Sequence, residues 1–150
     1  MGGVIIRFEE LLARDGKLVY KTRGVSMEPM LRQDRDIVVI QAITSPLKPL
    51  DVAFYKRGDQ YVLHRVINCQ DDCYCIRGDN TYVMEVVPRD AVLGVLVSFQ
   101  RNGKTVSTDN DIYKLYARVW TGIYPLRFLC VKGKRLVARI LRKIIRLIAA

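Results

Sequence analysis

The sequence predicts a mainly β fold: a coiled antiparallel or mixed β-sheet, or a partly closed barrel, with a short N-terminal helix and one or two C-terminal helices. Six short segments rich in Val, Ile, Tyr and Phe crowd residues 17–100. Turn-forming clusters separate them (SPLKP, KRGDQ, QDD, GDN), and RNGK follows the last. No stretch between them is long enough for a crossover helix, which argues against parallel βαβ units. At 150 residues, half of them apolar and 27% charged, the chain suffices for one domain with its own core.

Residues 5–14 (IIRFEELLAR) place Ile5, Phe8, Leu11 and Leu12 on one helix face, and Asp15-Gly16 ends that helix. The expected strands are 17–22 (KLVYKT), 36–42 (DIVVIQA), 51–56 (DVAFYK), 61–68 (YVLHRVIN), 73–78 (CYCIRG) and 91–100 (AVLGVLVSFQ). After RNGKTVST the period changes. Asp109 or Asn110 is a candidate N-cap. Ile112, Leu115, Tyr116, Val119, Trp120 and Ile123 then recur at helical spacing as one apolar stripe, interrupted near Pro125. Residues 134–148 read as a second helix. No repeat or linker divides the chain. Residues 1–108 are therefore expected to form a β domain and 109–150 a helical extension, packed on it or on a membrane, in one structural unit.

The formal net charge of +10 is unevenly placed. Arg127, Lys132, Lys134, Arg135, Arg139, Arg142, Lys143 and Arg146 all follow Asp111, the last acidic residue. Within 134–150, Arg135, Arg139, Arg142, Lys143 and Arg146 share one helical face, and Leu136, Val137, Ile140, Leu141, Ile144, Ile145 and Ile148 fill the rest. That pattern suits the headgroup plane of an anionic membrane. Aromatic residues are absent from 132–150, so there is no stacking platform and nucleic acid is not an expected partner. No apolar run reaches the roughly 18 residues that a membrane span needs. The start, MGGVIIRFEELLARDG, does not read as a secretory signal, so the expected location is cytoplasmic, peripheral at the membrane. Cys69, Cys73 and Cys75 follow C-x3-C-x-C, which is no common zinc spacing; no metal or other cofactor is expected. Cys69 and Cys73 flank a turn and could pair under oxidising conditions, whereas a cytosolic chain keeps them reduced.

The chemistry-bearing residues lie in three places. GVSMEPML (24–31) sets Ser26 in a turn after the first strand. A serine hydroxyl is a poor nucleophile unless a base lies within hydrogen-bond reach and donors stabilise the oxyanion. The only histidine, His64, sits in YVLHRVI, where alternation puts it on one strand face with Val62 and Val66. Such apolar surroundings keep an imidazole neutral, as a base must be. Asp79, in RGDN at a strand end, is placed either to orient that imidazole or to cap its own turn.

In this order and context the chain resembles the type I signal peptidases and their relatives, the self-cleaving repressors of the SOS response. In that family Ser-Met-x-Pro carries the nucleophile, here Ser26-Met27-Glu28-Pro29. A Gly-Asp strand follows, here Leu50-Asp51-Val52-Ala53-Phe54, with Leu50 in place of Gly. The base is a lysine in most bacterial members and a histidine in the endoplasmic-reticulum-type branch, to which Val62-Leu63-His64-Arg65-Val66 is similar. Gly78-Asp79-Asn80 and Val87-Pro88 through Gly94 complete the match, which spans about residues 18–100.

The resemblance implies a coiled β-fold and a serine endopeptidase. Ser26 would be the nucleophile, His64 the base, and Asp79 the residue that orients or stabilises the imidazolium. The oxyanion hole would rest on backbone N–H groups, Ser26's own first, beside Gly24, where bacterial enzymes carry a hydroxyl residue. Met27 would floor the substrate groove or simply fill the core. The implied substrate is an extended signal- or leader-like peptide with small residues before the cut, laid along a strand edge. Members usually carry an N-terminal membrane anchor, which this sequence does not show, so a general secretory role does not follow from the chemistry. The competing reading is an inactive or self-cleaving-repressor-like peptide-binding module of the same fold. A repressor needs a helix-turn-helix, which 17 leading residues cannot supply. A wide separation of Ser26 and His64 in space would favour the inactive module.

Overall fold

The structure, a computed structural model, describes residues 7–133 and residue 139. The start of the expected N-terminal helix, and all of the basic segment at 134–150 except Arg139, lie outside the described residues.

Helix α1 (Phe8–Asp15) leads into eight strands: β1 (Lys17–Lys21), β2 (Ile37–Ala42), β3 (Val52–Arg57), β4 (Gln60–Cys69), β5 (Cys73–Arg77), β6 (Glu85–Pro88), β7 (Val92–Arg101) and β8 (Lys104–Ser107). They form one sheet ordered β1-β2-β7-β3-β4-β5-β6, with β8 on β7. Every pairing is antiparallel, as short connections demand. Register shifts at Val39/Ile40, Phe54/Tyr55 and Val66/Asn68 bend the strands and coil the sheet. Gly94 lies at the tightest approach. A Cβ there would meet Ile40 Cγ2 at 2.6 Å and the Gln41 carbonyl at 2.8 Å, so only glycine lets β2 and β7 pair.

The six expected strands are present, and two four-residue strands, β6 and β8, add to them. Strand β8 forms because Asn102 and Gly103 both take positive φ, 50° and 76°, closing a two-residue hairpin between Arg101 and Lys104. Alternation sorts side chains into two apolar clusters. Phe54, Leu63, Met27 and Met30 belong to one; Tyr55, Val62 and Val66 belong to the other.

Helix α1 ends at Gly16, whose φ of 68° lets its N–H reach the Leu12 carbonyl. Helix α2 (Asp111–Gly122) is capped by the Asn110 side chain, which accepts from the N–H groups of Ile112 and Tyr113. The apolar stripe expected on this helix divides in two. Tyr113 and Ala117 are buried and Tyr116 and Trp120 half-buried, whereas Ile112, Leu115 and Val119 face outward, 78%, 61% and 51% exposed. The inward aromatics bring polar tips that find partners beneath the helix, which decides the rotation. Beyond a turn at Ile123 the chain is helical again over residues 124–133. Pro125 sits in the first turn of that run, where its missing N–H costs nothing. Among the described residues, no helix is long and apolar enough to cross a membrane.

Candidate active site

Strand β1 runs directly into the turn that carries Ser26. Gly24 enters it with a φ of 82°, a conformation that favours glycine. Met27 and Met30, each 4% exposed, anchor the turn in the core, and the Leu31 N–H donates to the Met27 carbonyl at 2.9 Å. Ser26 between them is half-buried. Among the described residues its N–H donates to no protein acceptor, so it is available to a ligand oxygen. Met27 is part of the core and is also among the residues that line the cavity containing Ser26.

His64 lies in the middle of β4, 4% exposed. Its Nδ1 is 3.1 Å from Glu85 Oε1 and 3.2 Å from the Tyr55 hydroxyl. That hydroxyl donates to Glu85 Oε2 at 3.0 Å, and Arg57 donates to Glu85 Oε1 at 3.0 Å. Tyr55 has one proton and gives it to the carboxylate; burial beside Glu85 raises its pKa and keeps that proton in place. The hydrogen between His64 and Glu85 must therefore sit on Nδ1, which leaves Nε2 a lone pair. Burial pushes the His64 pKa below the ordinary imidazole value. Glu85 pulls it partly back, and the positive charge of Arg57 opposes that pull. The ring is thus a neutral imidazole of fixed tautomer.

The loop between β5 and β6 joins Ser26 to His64. A Cβ on Gly78 would stand 2.6 Å from the Ser26 carbonyl oxygen and 3.0 Å from His64 Nε2, so a side chain at residue 78 would crowd both the serine turn and the imidazole. The next residue but one ties the loop to the serine turn: the Asn80 N–H donates to the Ser26 carbonyl at 2.7 Å and its Nδ2 to the Val25 carbonyl at 3.1 Å. Ser26, Met27, Gly24, His64, Asn80 and Glu85 all line one open groove of about 1380 Å³.

Asp79 lies elsewhere. Its carboxylate is gripped by Arg65, at 2.8 Å from Nε and 2.7 Å from NH2, with side chains 0% and 3% exposed. Burial works against the Arg65 charge, but the paired Asp79 oxygens more than offset it and raise its pKa. Arg65 also donates to the Leu50 carbonyl and to Tyr113. The carboxylate makes no hydrogen bond to the imidazole, so the expectation that Asp79 orients it by direct contact is corrected, while its negative charge still favours the imidazolium at longer range. Successive side chains of a strand point to opposite faces, and Asp79 follows Arg65 to one face while His64 turns to the other. The orienting contact belongs to Glu85, which sequence reasoning missed. Its strand is four residues long and ends in proline, too short to be recognised; the available signal was one acid in an otherwise apolar run (VMEVVP). Cys69, Cys73 and Cys75 are free thiols, with Cys69 donating to the Leu47 carbonyl and Cys73 to Gln70.

No family model matches the chain, and no curated protein matches it.

Proposed function

We propose that the protein is a serine endopeptidase of the signal-peptidase type, with Ser26 as nucleophile and His64 as general base. One observation carries this reading: the only imidazole of the chain has Nδ1 committed to Glu85 and Nε2 held beside Gly78, across from Ser26. His64 Nε2 takes the proton of the Ser26 hydroxyl as the oxygen attacks a peptide carbonyl, and the free Ser26 N–H faces the oxyanion. The imidazolium, stabilised by Glu85, passes its proton to the leaving amine. Water then attacks the acyl-enzyme ester, giving its proton to Nε2, and collapse returns the proton to Ser26.

The substrate is an extended peptide. Strand β1 stands at the edge of the sheet and ends at the serine turn, so a peptide added along that edge would be delivered to Ser26. Following the resemblance, it carries small residues before the cut. The basic segment at 134–150 would hold the enzyme on an anionic membrane surface. The test is incubation with a mixed peptide library read by mass spectrometry. Wild type is expected to cut after small residues and Ser26→Ala to leave the library intact. Equal cutting by both would remove Ser26 from the reaction.

A further inference from the structure

One peptide group connects the serine turn to the C-terminal helices. It is the amide between Asp79 and Asn80. Its N–H donates to the Ser26 carbonyl at 2.7 Å. Its C=O accepts two bonds, from Trp120 Nε1 at 3.0 Å and from Arg127 NH2 at 2.7 Å. Both lone pairs of that oxygen are therefore used, one of them by a cation. A trans peptide is planar, with C=O and N–H pointing in opposite directions. Fixing the carbonyl from the helix side thus fixes the direction in which the N–H reaches Ser26. An Arg on the carbonyl also polarises the amide and strengthens the bond on its far side.

The donors are themselves held. The Arg127 guanidinium stacks on the Trp120 ring at 3.7 Å, so the two side chains reach the oxygen as a pair. One residue pair further on, Tyr124 donates to the Tyr82 carbonyl at 3.2 Å and Arg77 covers the Tyr124 ring at 3.3 Å. The loop from Gly78 to Tyr82 is clamped from outside by these contacts, while at its inner side a Cβ on Gly78 would meet both the Ser26 carbonyl and His64 Nε2.

We propose that Trp120 and Arg127 are positioning residues of the Ser26 site, acting through the Asp79–Asn80 peptide, so that the C-terminal helices are part of the active-site machinery rather than an appendage. Neither lines the groove that holds Ser26 and His64. The proposal rests on the serine-peptidase reading, and its test separates the two. Trp120→Phe keeps the ring and removes only the N–H; Arg127→Met keeps the bulk and removes the charged donor; Arg127→Lys retains a donor. The full chain and its variants are treated with a fluorophosphonate, which forms a covalent bond with an activated serine oxygen by expelling fluoride. The rate of labelling at Ser26 is read by mass spectrometry. The His64 imidazole, unique in the chain, is titrated by NMR in parallel.

The double variant is expected to label at least tenfold more slowly while keeping a cooperative melt, with Arg127→Lys recovering most of the rate. Its His64 midpoint is expected to rise toward the ordinary imidazole value as the loop loosens and water enters. Wild-type labelling and an unmoved His64 midpoint in a folded double variant overturn the proposal. If the double variant does not fold, Trp120→Phe alone decides, with a several-fold loss supporting the proposal and none overturning it. If the wild type is not labelled at all, the hydrolase reading fails, and the clamp is then decided by the His64 midpoint alone.

Discussion

His64 and Arg65 are adjacent on one strand, each faces a carboxylate, and the two pairs do different work. Arg65 and Asp79 are sealed from solvent and bind each other through two parallel hydrogen bonds. That geometry serves the fold, because an ion inside the protein must be fully paired. His64 and Glu85 share a single bond at the wall of a groove, with Glu85 20% exposed and also held by Tyr55 and Arg57. That arrangement fixes a tautomer and leaves one nitrogen unspent. Burial of a charge pair and presentation of a free imidazole nitrogen are thus separated by one residue and one turn of the strand's pleat.

The comparison is broken most sharply at Glu85. Glu85→Gln keeps the shape but removes the charge that stabilises the imidazolium. Peptide cleavage and Ser26 labelling are expected to fall roughly 10²- to 10⁴-fold, with thermal stability close to wild type. Asp79→Asn should do the reverse. It leaves the Arg65 charge buried without its counter-ion, a cost of roughly 3–5 kcal/mol, read as a lowered denaturation midpoint. Activity per folded molecule should change far less than in Glu85→Gln. Equal effects of the two substitutions on both readouts would dissolve the distinction.

Gly78→Ala acts between the two pairs. The added methyl would stand 2.6 Å from the Ser26 carbonyl and 3.0 Å from His64 Nε2. Ser26 and His64 must part to admit it, at roughly 1–3 kcal/mol of overpacking strain. The expected signature is a labelling rate reduced by more than that stability loss accounts for. An alanine variant as active as wild type would show that the spacing between Ser26 and His64 is not set by residue 78.

The smallest effect concerns pH and stability. His64 has a folded pKa below its unfolded value of about 6.5. Above about pH 6.5 both states hold it neutral. As pH falls below that value the unfolded chain takes up a proton first, so the contribution of this group to stability is lost toward the lower, folded pKa. Relative to His64→Gln, wild type should lose stability between about pH 6.5 and the folded midpoint, as followed by urea unfolding. A difference that grows in the opposite sense would mean that His64 is charged in the fold.

How much of this was legible depends on length and on context. The long strands declared themselves through β-branched runs and turn clusters, and α2 through its cap at Asn110 and its period. Strands β6 and β8 were hidden because four residues are too few to show alternation. The rotation of α2 was hidden because Tyr116 and Trp120 turn inward for hydrogen bonds that no hydropathy pattern encodes, leaving Ile112, Leu115 and Val119 outside. Ser26 and His64, which line one groove, stood out in the sequence because each belongs to a local motif. Glu85 was not, because its partner is 21 positions earlier in the chain and meets it only through the β4-β5-β6 pairings. The direct partner of Asp79, Arg65, was hidden because a turn motif does not reveal which face of β4 it crosses.

The most direct measurement sets two titrations side by side: the NMR midpoint of the His64 imidazole, and the pH dependence of kcat/KM for a cleaved peptide. The buried, neutral ring places both midpoints at the same value, below the ordinary imidazole pKa of about 6.5, with activity rising as the ring loses its proton and flat by about pH 8. An activity rise centred near pH 9, or one that ignores the His64 titration, would contradict His64 as the base for Ser26.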